Sequence, residues 1–195
     1  MIKYSIIIPS FKAEDYTLKC IRAIEKYTSD YEIILIAQEA DLNKFRDLPI
    51  TIINNPKNLG LGRGANQGFK IARGSIWIVM ANDVEVKRGW LKHFEKELKD
   101  DVAMVLSRLD MSVQVYDPDF IKTWGGYDEN FFFEYEDVEM QKRVFVAKKK
   151  CVEIEEMPFI HHLGKSGAFL KDRVWHKEQS RNYMNQKYRG WETNQ

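Results

Sequence analysis

Short runs rich in isoleucine, leucine and valine recur through the first half of the chain: Tyr4 to Ile8, Tyr31 to Ile36, Ile50 to Ile53 and Ser75 to Met80. They lack the clean polar alternation of a strand with one wet face, so they predict strands covered on both sides in a parallel sheet. Between the first two, Leu18, Ile21, Ile24 and Tyr27 recur at near-helical spacing, while Lys19, Arg22, Glu25 and Lys26 take the other side. That pattern predicts an amphipathic crossover helix and β-α-β organisation. A further helix is predicted from about Gly89 to Lys99, burying Trp90, Leu91, Phe94 and Leu98, followed by a strand from Val102 to Leu106. Up to about residue 106 the pattern is that of a nucleotide-binding α/β half.

The second half changes character. Residues 107 to 135 mix polar and aromatic positions with Pro118, Gly125 and Gly126, and read as one long connection. Connections of that length in a compact domain are usually functional. A helix is predicted from Glu136 to Lys149 and a strand from Cys151 to Glu155. The last 30 residues are polar and aromatic, with Trp175, Tyr183, Tyr188 and Trp191. No internal repeat or linker interrupts the chain, so residues 1 to 195 are expected to form one domain.

Composition narrows the class. With 195 residues, 44% hydrophobic, 30% charged and 13% aromatic, the chain is that of a globular protein able to bury a core without disulfides or structural metal. Cys20 and Cys151 are too few and too far apart for a zinc site or a disulfide framework, which fits a reducing, cytoplasmic setting. The apolar run near the amino terminus is too short for a signal peptide, and no stretch approaches the roughly 20 residues of a membrane span. Any membrane contact is therefore expected to be peripheral, at the inner face. Net charge is +1, but residues 141 to 195 hold 12 Lys/Arg against 6 Asp/Glu, leaving 18 against 23 in the rest. The basic end is either a solvated face or an attraction for a phosphorylated donor or anionic acceptor.

Four segments hold candidate chemistry. The glycine cluster Asn58 to Gly68 follows a strand and opens a helix, yet it contains neither G-x-G-x-x-G nor G-K-[ST], so no dinucleotide fingerprint or P-loop is present. It is either a structural turn with close packing or a ligand contact, in which case Arg63 and Asn66 are the members to touch a donor. Trp77 to Val86 is an apolar strand running into Asn82-Asp83-Val84-Glu85, at the carboxyl end where open α/β sheets place ligands. Asp83 there is a turn or cap residue, or a ligand for Mg²⁺ or Mn²⁺, with Glu85 on the same side if the chain stays extended. Gly125 to Asp137 sets five carboxylates among five aromatics, packing that would raise a carboxyl pKa and suit a general base. Alternatively, Glu136 and Asp137 simply occupy the favourable first turn of a helix. His161-His162, with Lys165 close behind, is a satisfied polar pair or a metal and phosphate contact.

In this order and spacing, the segments resemble the large inverting glycosyltransferase family numbered two, which has the GT-A fold. The resemblance rests on Ser5 to Phe11, Asn58-Leu59-Gly60 with Ala65-Asn66-Gln67-Gly68, and Asn82 to Glu85. It continues through Trp124 to Glu129 and Phe132-Phe133 to Glu136-Asp137-Val138-Glu139, and ends on His161 with Ser166. It implies a mostly parallel α/β sheet flanked by helices, with residues 1 to 106 serving the donor nucleotide and 107 to 195 the acceptor and catalysis. It further implies a UDP-sugar donor packed against Pro9, Ser10, Phe11 and Glu14, and Mn²⁺ or Mg²⁺ held by Asp83 with His161 or, one residue on, His162. Asp137 of the Glu136-Asp137 pair would be the general base, acting on a glycan, lipid-linked or other hydroxyl acceptor.

Two departures stand out. Ala81 occupies the place of the first aspartate of the family's Asp-x-Asp metal motif, and Ala37-Gln38-Glu39 stands where many relatives carry a base-reading aspartate. The stretch from Leu106 to Trp124 is short for the family, which implies an open acceptor site or one completed by a partner or second subunit. A sugar nucleotidyltransferase is disfavoured because Pro9-Ser10-Phe11-Lys12 lacks the glycine-rich basic loop of those enzymes. An inactive nucleotide- or glycan-binding module is the remaining rival, favoured by Ala81 and opposed by the intact Glu136-Asp137 pair.

Overall fold

The structure is a computed structural model that describes residues 2–108, 111–155, 158–165 and 167–189. Ser166 and Trp191 lie outside the described residues. In chain order, β1 (Tyr4–Phe11), α1 (Glu14–Tyr27), β2 (Tyr31–Gln38), β3 (Thr51–Asn55), α2 (Leu61–Phe69) and β4 (Ile76–Met80) build the first half. They are followed by β5 (Val84–Val86), α3 (Trp90–Glu97), β6 (Val102–Ser107), β7 (Val113–Tyr116) and α4 (Pro118–Trp124). The chain closes with α5 (Glu136–Val146), β8 (Lys150–Ile154), β9 (Phe159–His161) and α6 (Arg173–Lys187).

Seven strands form one sheet in the order β3-β2-β1-β4-β7-β6-β8. The pairs β1–β2, β1–β4, β2–β3 and β6–β8 are parallel, and β7 alone runs against its neighbours. The apolar runs follow from this architecture. Ile6, Ile8, Ile33, Leu35, Ile78 and Met80 enter one core with Cys20, Ile21 and Ile24 of α1 and Trp90 and Phe94 of α3. The intervening Ile7, Ile34, Ile36, Trp77 and Val79 enter a second core with Phe69 of α2, Phe120 of α4 and Met140 and Val144 of α5. Because both faces are covered, odd and even positions must both be apolar.

The glycine cluster opens α2 as expected. A Cβ on Gly68 would lie 2.5 Å from Ile7 Cγ2, so glycine there lets the helix lie close on β1. Gly60, at φ 82°, caps the helix where a side chain would strike the Phe132 carbonyl oxygen.

The stretch read as one long connection, residues 107 to 135, contains β7 and α4. Asp117 caps α4 by accepting from the Asp119 N–H, with Pro118 at the first helical position. The polar carboxy-terminal stretch holds the 15-residue helix α6. A two-stranded antiparallel ribbon, β5–β9, lies outside the main sheet.

Candidate functional site

A cavity of about 530 Å³ opens at the carboxyl ends of β1, β2 and β4. Pro9 and Phe11 from β1, Gln38 from β2 and Asn58, Gly60 and Leu61 from the entry to α2 line one side. Ala81, Asn82, Asp83 and His161 line another, and Phe132 to Val138 close it with Met111, Gly164, Gly167 and Leu170. Parallel strands all end at the same edge, so the loops that follow them converge there.

Asp83 and His161 are 78 positions apart and meet because β5 pairs with β9. The register sets Val84 opposite His161, and the His162 N–H donates to the Asp83 carbonyl at 3.0 Å. His161 Nε2 consequently lies 3.1 Å from Asp83 Oδ1, and the Lys165 N–H donates to Oδ2 at 2.9 Å. Burial pulls the Asp83 carboxyl up, but the His161 and Lys165 hydrogen bonds outweigh it and leave the group below its ordinary value. Beneath this pair, Asn82 Nδ2 donates to Ser10 Oγ at 3.1 Å and to Thr17 Oγ1 at 2.9 Å, tying the end of β4 to β1 and α1. Ser10 thus supports the floor rather than lining it.

Glu85 does not share Asp83's side. Residues 82 and 83 turn, so strand alternation starts at Val84, and Glu85 faces His162 instead, Oε1 to Nε2 2.7 Å. Neither of these two lines the cavity. Asp83 with His161 offers one carboxylate and one imidazole, a donor set that suits Mn²⁺. Among the described residues no group of three or more His, Cys, Asp and Glu is arranged to hold a metal. The pair by itself would supply two ligands to an ion held there.

Opposite lies the start of α5. Glu134 and Tyr135 both adopt left-handed backbone, φ 60° and 72°, a conformation costing each non-glycine residue about 1–2 kcal/mol. This kink delivers Glu136 and Asp137 into the cavity wall. Glu136 is buried and pushed up to about 8 by desolvation, with the Asp137 and Glu134 charges adding to it. Its Oε2 has no hydrogen-bond partner among the described residues. Asp137 is raised as well, by burial first, although its Oδ1 accepts from the Val138 N–H at 2.7 Å. A helix N-terminus stabilises an anion by about 0.3–1 kcal/mol, less than the several kcal/mol lost on burying one, so desolvation decides the sign here.

Other candidates act at a distance from the cavity. Arg63 Nε donates to the Glu129 carbonyl at 2.9 Å, and Asn66 exchanges hydrogen bonds with the Tyr127 backbone, Nδ2 to O 2.9 Å and N to Oδ1 2.8 Å. Both clamp α2 to the loop that precedes α5. Glu14 accepts from the Asp41 N–H at 2.9 Å, and the Lys165 ammonium lies 5.4 Å from the Tyr16 ring centre. Gln38, at the place of the missing base-reading aspartate, lines the cavity and accepts from the Leu59 N–H at 2.7 Å.

Glu134, Tyr135, Gly167 and Leu170 are lining residues that the sequence did not single out. Glu134 leads to α6, which lies along the 128–139 segment. Glu134 pairs with Lys177 Nζ at 2.6 Å and with Arg173 Nη2 at 3.7 Å, while Lys187 Nζ joins Asp128 at 2.7 Å and the fully buried Glu139 at 2.6 Å. Tyr183 packs edge-on to Phe131 and His176 against Phe132. Arg143, on the far side of Glu139, donates to the Gly126 carbonyl at 2.6 Å.

No curated protein sequence matches the chain. Solved structures do, at low identity. The mannosyltransferase PcManGT from Pyrobaculum calidifontis, in complex with GDP-Man and Mn²⁺, is 13% identical with a TM-score of 0.78, covering 94% of this chain and 64% of that one. TarS 1-349 from S. aureus, in complex with UDP, is 14% identical with a TM-score of 0.65, covering 99% and 74%. GalNAc-T7 with UDP, GalNAc and Mn²⁺ is 13% identical with a TM-score of 0.63, covering 79% and 42%. The chain thus spans under two thirds of the mannosyltransferase it resembles. These likenesses establish the GT-A fold. The profile of glycosyl transferase family 2 matches residues 5–151, about three quarters of the chain, and on that match the protein belongs to glycosyl transferase family 2.

Proposed function

We propose that the protein transfers a sugar from a nucleoside-diphosphate sugar to a hydroxyl acceptor with inversion, using Asp137 as the general base. The observation that carries this reading is the single cavity that holds an Asp83–His161 pair on one wall and two desolvated carboxylates on the other. Pro9, Phe11, Asn82 and Gln38 would bound the nucleotide, so residues 1 to 106 serve the donor and 107 to 195 the acceptor within one domain. Asp83 and His161 would hold Mn²⁺ or Mg²⁺, which when bound offsets the negative charge growing on the departing diphosphate.

Asp137, its basicity raised by burial, would take the proton of the acceptor hydroxyl as that oxygen attacks the anomeric carbon opposite the diphosphate. A single displacement of this geometry inverts the carbon. A UDP-sugar is our preferred donor, although the neighbours carry both UDP and GDP-Man in their complexes.

On the acceptor side, Leu163, Phe169, Val174 and Trp175 are exposed among Lys171, Arg173 and Lys177. Apolar tips interleaved with cations suit the boundary of an anionic membrane and favour a lipid-linked acceptor met peripherally from the cytoplasm. No helix among the described residues is long and apolar enough to cross a membrane. Ala81, which lines the cavity where the family motif has aspartate, favours the second reading of an inactive nucleotide-binding module. The experiment is a panel of UDP, GDP, dTDP and CMP sugars with Mn²⁺ or EDTA, read by thermal shift and by release of free nucleotide. Stabilisation by one donor with metal-dependent release supports transfer. Stabilisation without release under any acceptor supports the binding module.

A further inference from the structure

Glu136 is a cavity-lining carboxyl that the reaction scheme leaves without a task. Its oxygen Oε2 is shut off from water and has no hydrogen-bond partner among the described residues. A carboxylate in that state would forfeit the hydration of that oxygen with only its own backbone N–H and the helix start to offset the charge, whereas a neutral carboxylic acid costs far less. The charges around it point the same way. Asp137 follows it directly, Glu134 lies two residues before, and Tyr127 from the loop behind, its phenol raised by burial and so neutral, is bonded to Tyr116 and Gln114. The nearby cations are engaged elsewhere: Arg173 and Lys177 on Glu134, Arg143 and Lys187 on Glu139. Asp83 and His161, across the cavity, face each other.

We propose that Glu136 serves as a neutral carboxylic acid beside the base, a positioning residue that leaves Asp137 the only negative charge of the pair and switches the site off when it ionises. The proton belongs to Glu136 because it is the more deeply buried of the two. The elevation to about 8 agrees with this assignment. An ionised Glu136 would set two like charges on neighbouring residues at the helix start and press the wall apart, so activity should fall on the alkaline side. The inference rests on Asp137 being the base.

The test is the pH profile of kcat/KM for the full chain, its Glu136→Gln and Glu136→Ala variants, and Asp137→Asn. Wild type should lose activity above about pH 8. Glu136→Ala should lose at least tenfold at neutral pH, Glu136→Gln should rescue most of that loss, and the alkaline fall should disappear in the amide variant. A protonated carboxyl should also give an infrared carbonyl band at neutral pH that vanishes in Glu136→Gln, whether or not the protein turns over. Persistence of the alkaline fall in Glu136→Gln, absence of the band, or failure of the folded amide to rescue would each overturn the proposal. If Asp137→Asn keeps full transfer while the band is present, the base assignment fails instead.

Discussion

The cavity has two acidic walls, and the fold treats them in opposite ways. Asp83 is buried but satisfied, with His161 and the Lys165 N–H on its two oxygens, and its carboxyl is held down. Glu136 is buried and Asp137 half-buried, neither paired with a cation among the described residues, and theirs are held up. The difference arises from the backbone. Asp83 stands at the mouth of a two-stranded ribbon whose register supplies an imidazole and an N–H, whereas α5 begins after a left-handed kink that no side chain caps. A satisfied carboxylate suits a permanent charge such as a metal ligand, and a desolvated one suits a group that must accept a proton.

The largest test of that contrast is Asp137→Asn. It should lower kcat about 10³-fold, within the range that general-base contributions span, and leave the donor Kd within about twofold. Equal loss of binding and turnover by calorimetry and kinetics would reassign Asp137 to support. Asp83→Ala should have the complementary effect, weakening Mn²⁺-dependent donor binding by at least about tenfold, or 1.4 kcal/mol. Donor affinity indifferent to both Mn²⁺ and Asp83 would remove the metal from that wall.

Stability against pH separates the walls without any substrate. Folding raises Glu136 from 4.5 to about 8, so between those values the folded state binds a proton that the unfolded chain has released. Stability should therefore decline as pH rises through that window, by up to about 5 kcal/mol, and Glu136→Gln should flatten the decline in urea titrations. Asp83 acts with the opposite sign, since its lowered carboxyl adds stability above its ordinary value that is lost as pH falls. The smallest effect is expected from Lys177→Ala. Its partner Glu134 and its own side chain are partly exposed, 31% and 55%, so less than about 1 kcal/mol should be lost on thermal unfolding.

The two halves also differ in how much their sequence reveals. β1, β2 and β4 are announced by their isoleucine and valine runs, and α1 by its apolar stripe, because those elements are stabilised by burying that surface. α5 ends at Val146, three residues before the predicted limit, and β8 spans Lys150–Ile154 against the predicted 151 to 155. α6 gives no such signal. It buries only Ser180 and Met184 and is held through Lys177, Lys187, Tyr183 and His176, contacts with no helical hydrophobic period. β7 is four residues long and β5 and β9 three each, shorter than a periodic pattern needs to declare itself.

By itself the sequence determined the parallel sheet, the carboxyl-end location of the acidic patches and the family to which they belong, since each depends on local residue order. Which histidine meets Asp83, which way Glu85 turns, and that Glu136 has an oxygen without a partner among the described residues were decided by tertiary structure. Those facts depend on a strand register and on desolvation by residues distant in the chain, and neither is written in any one segment.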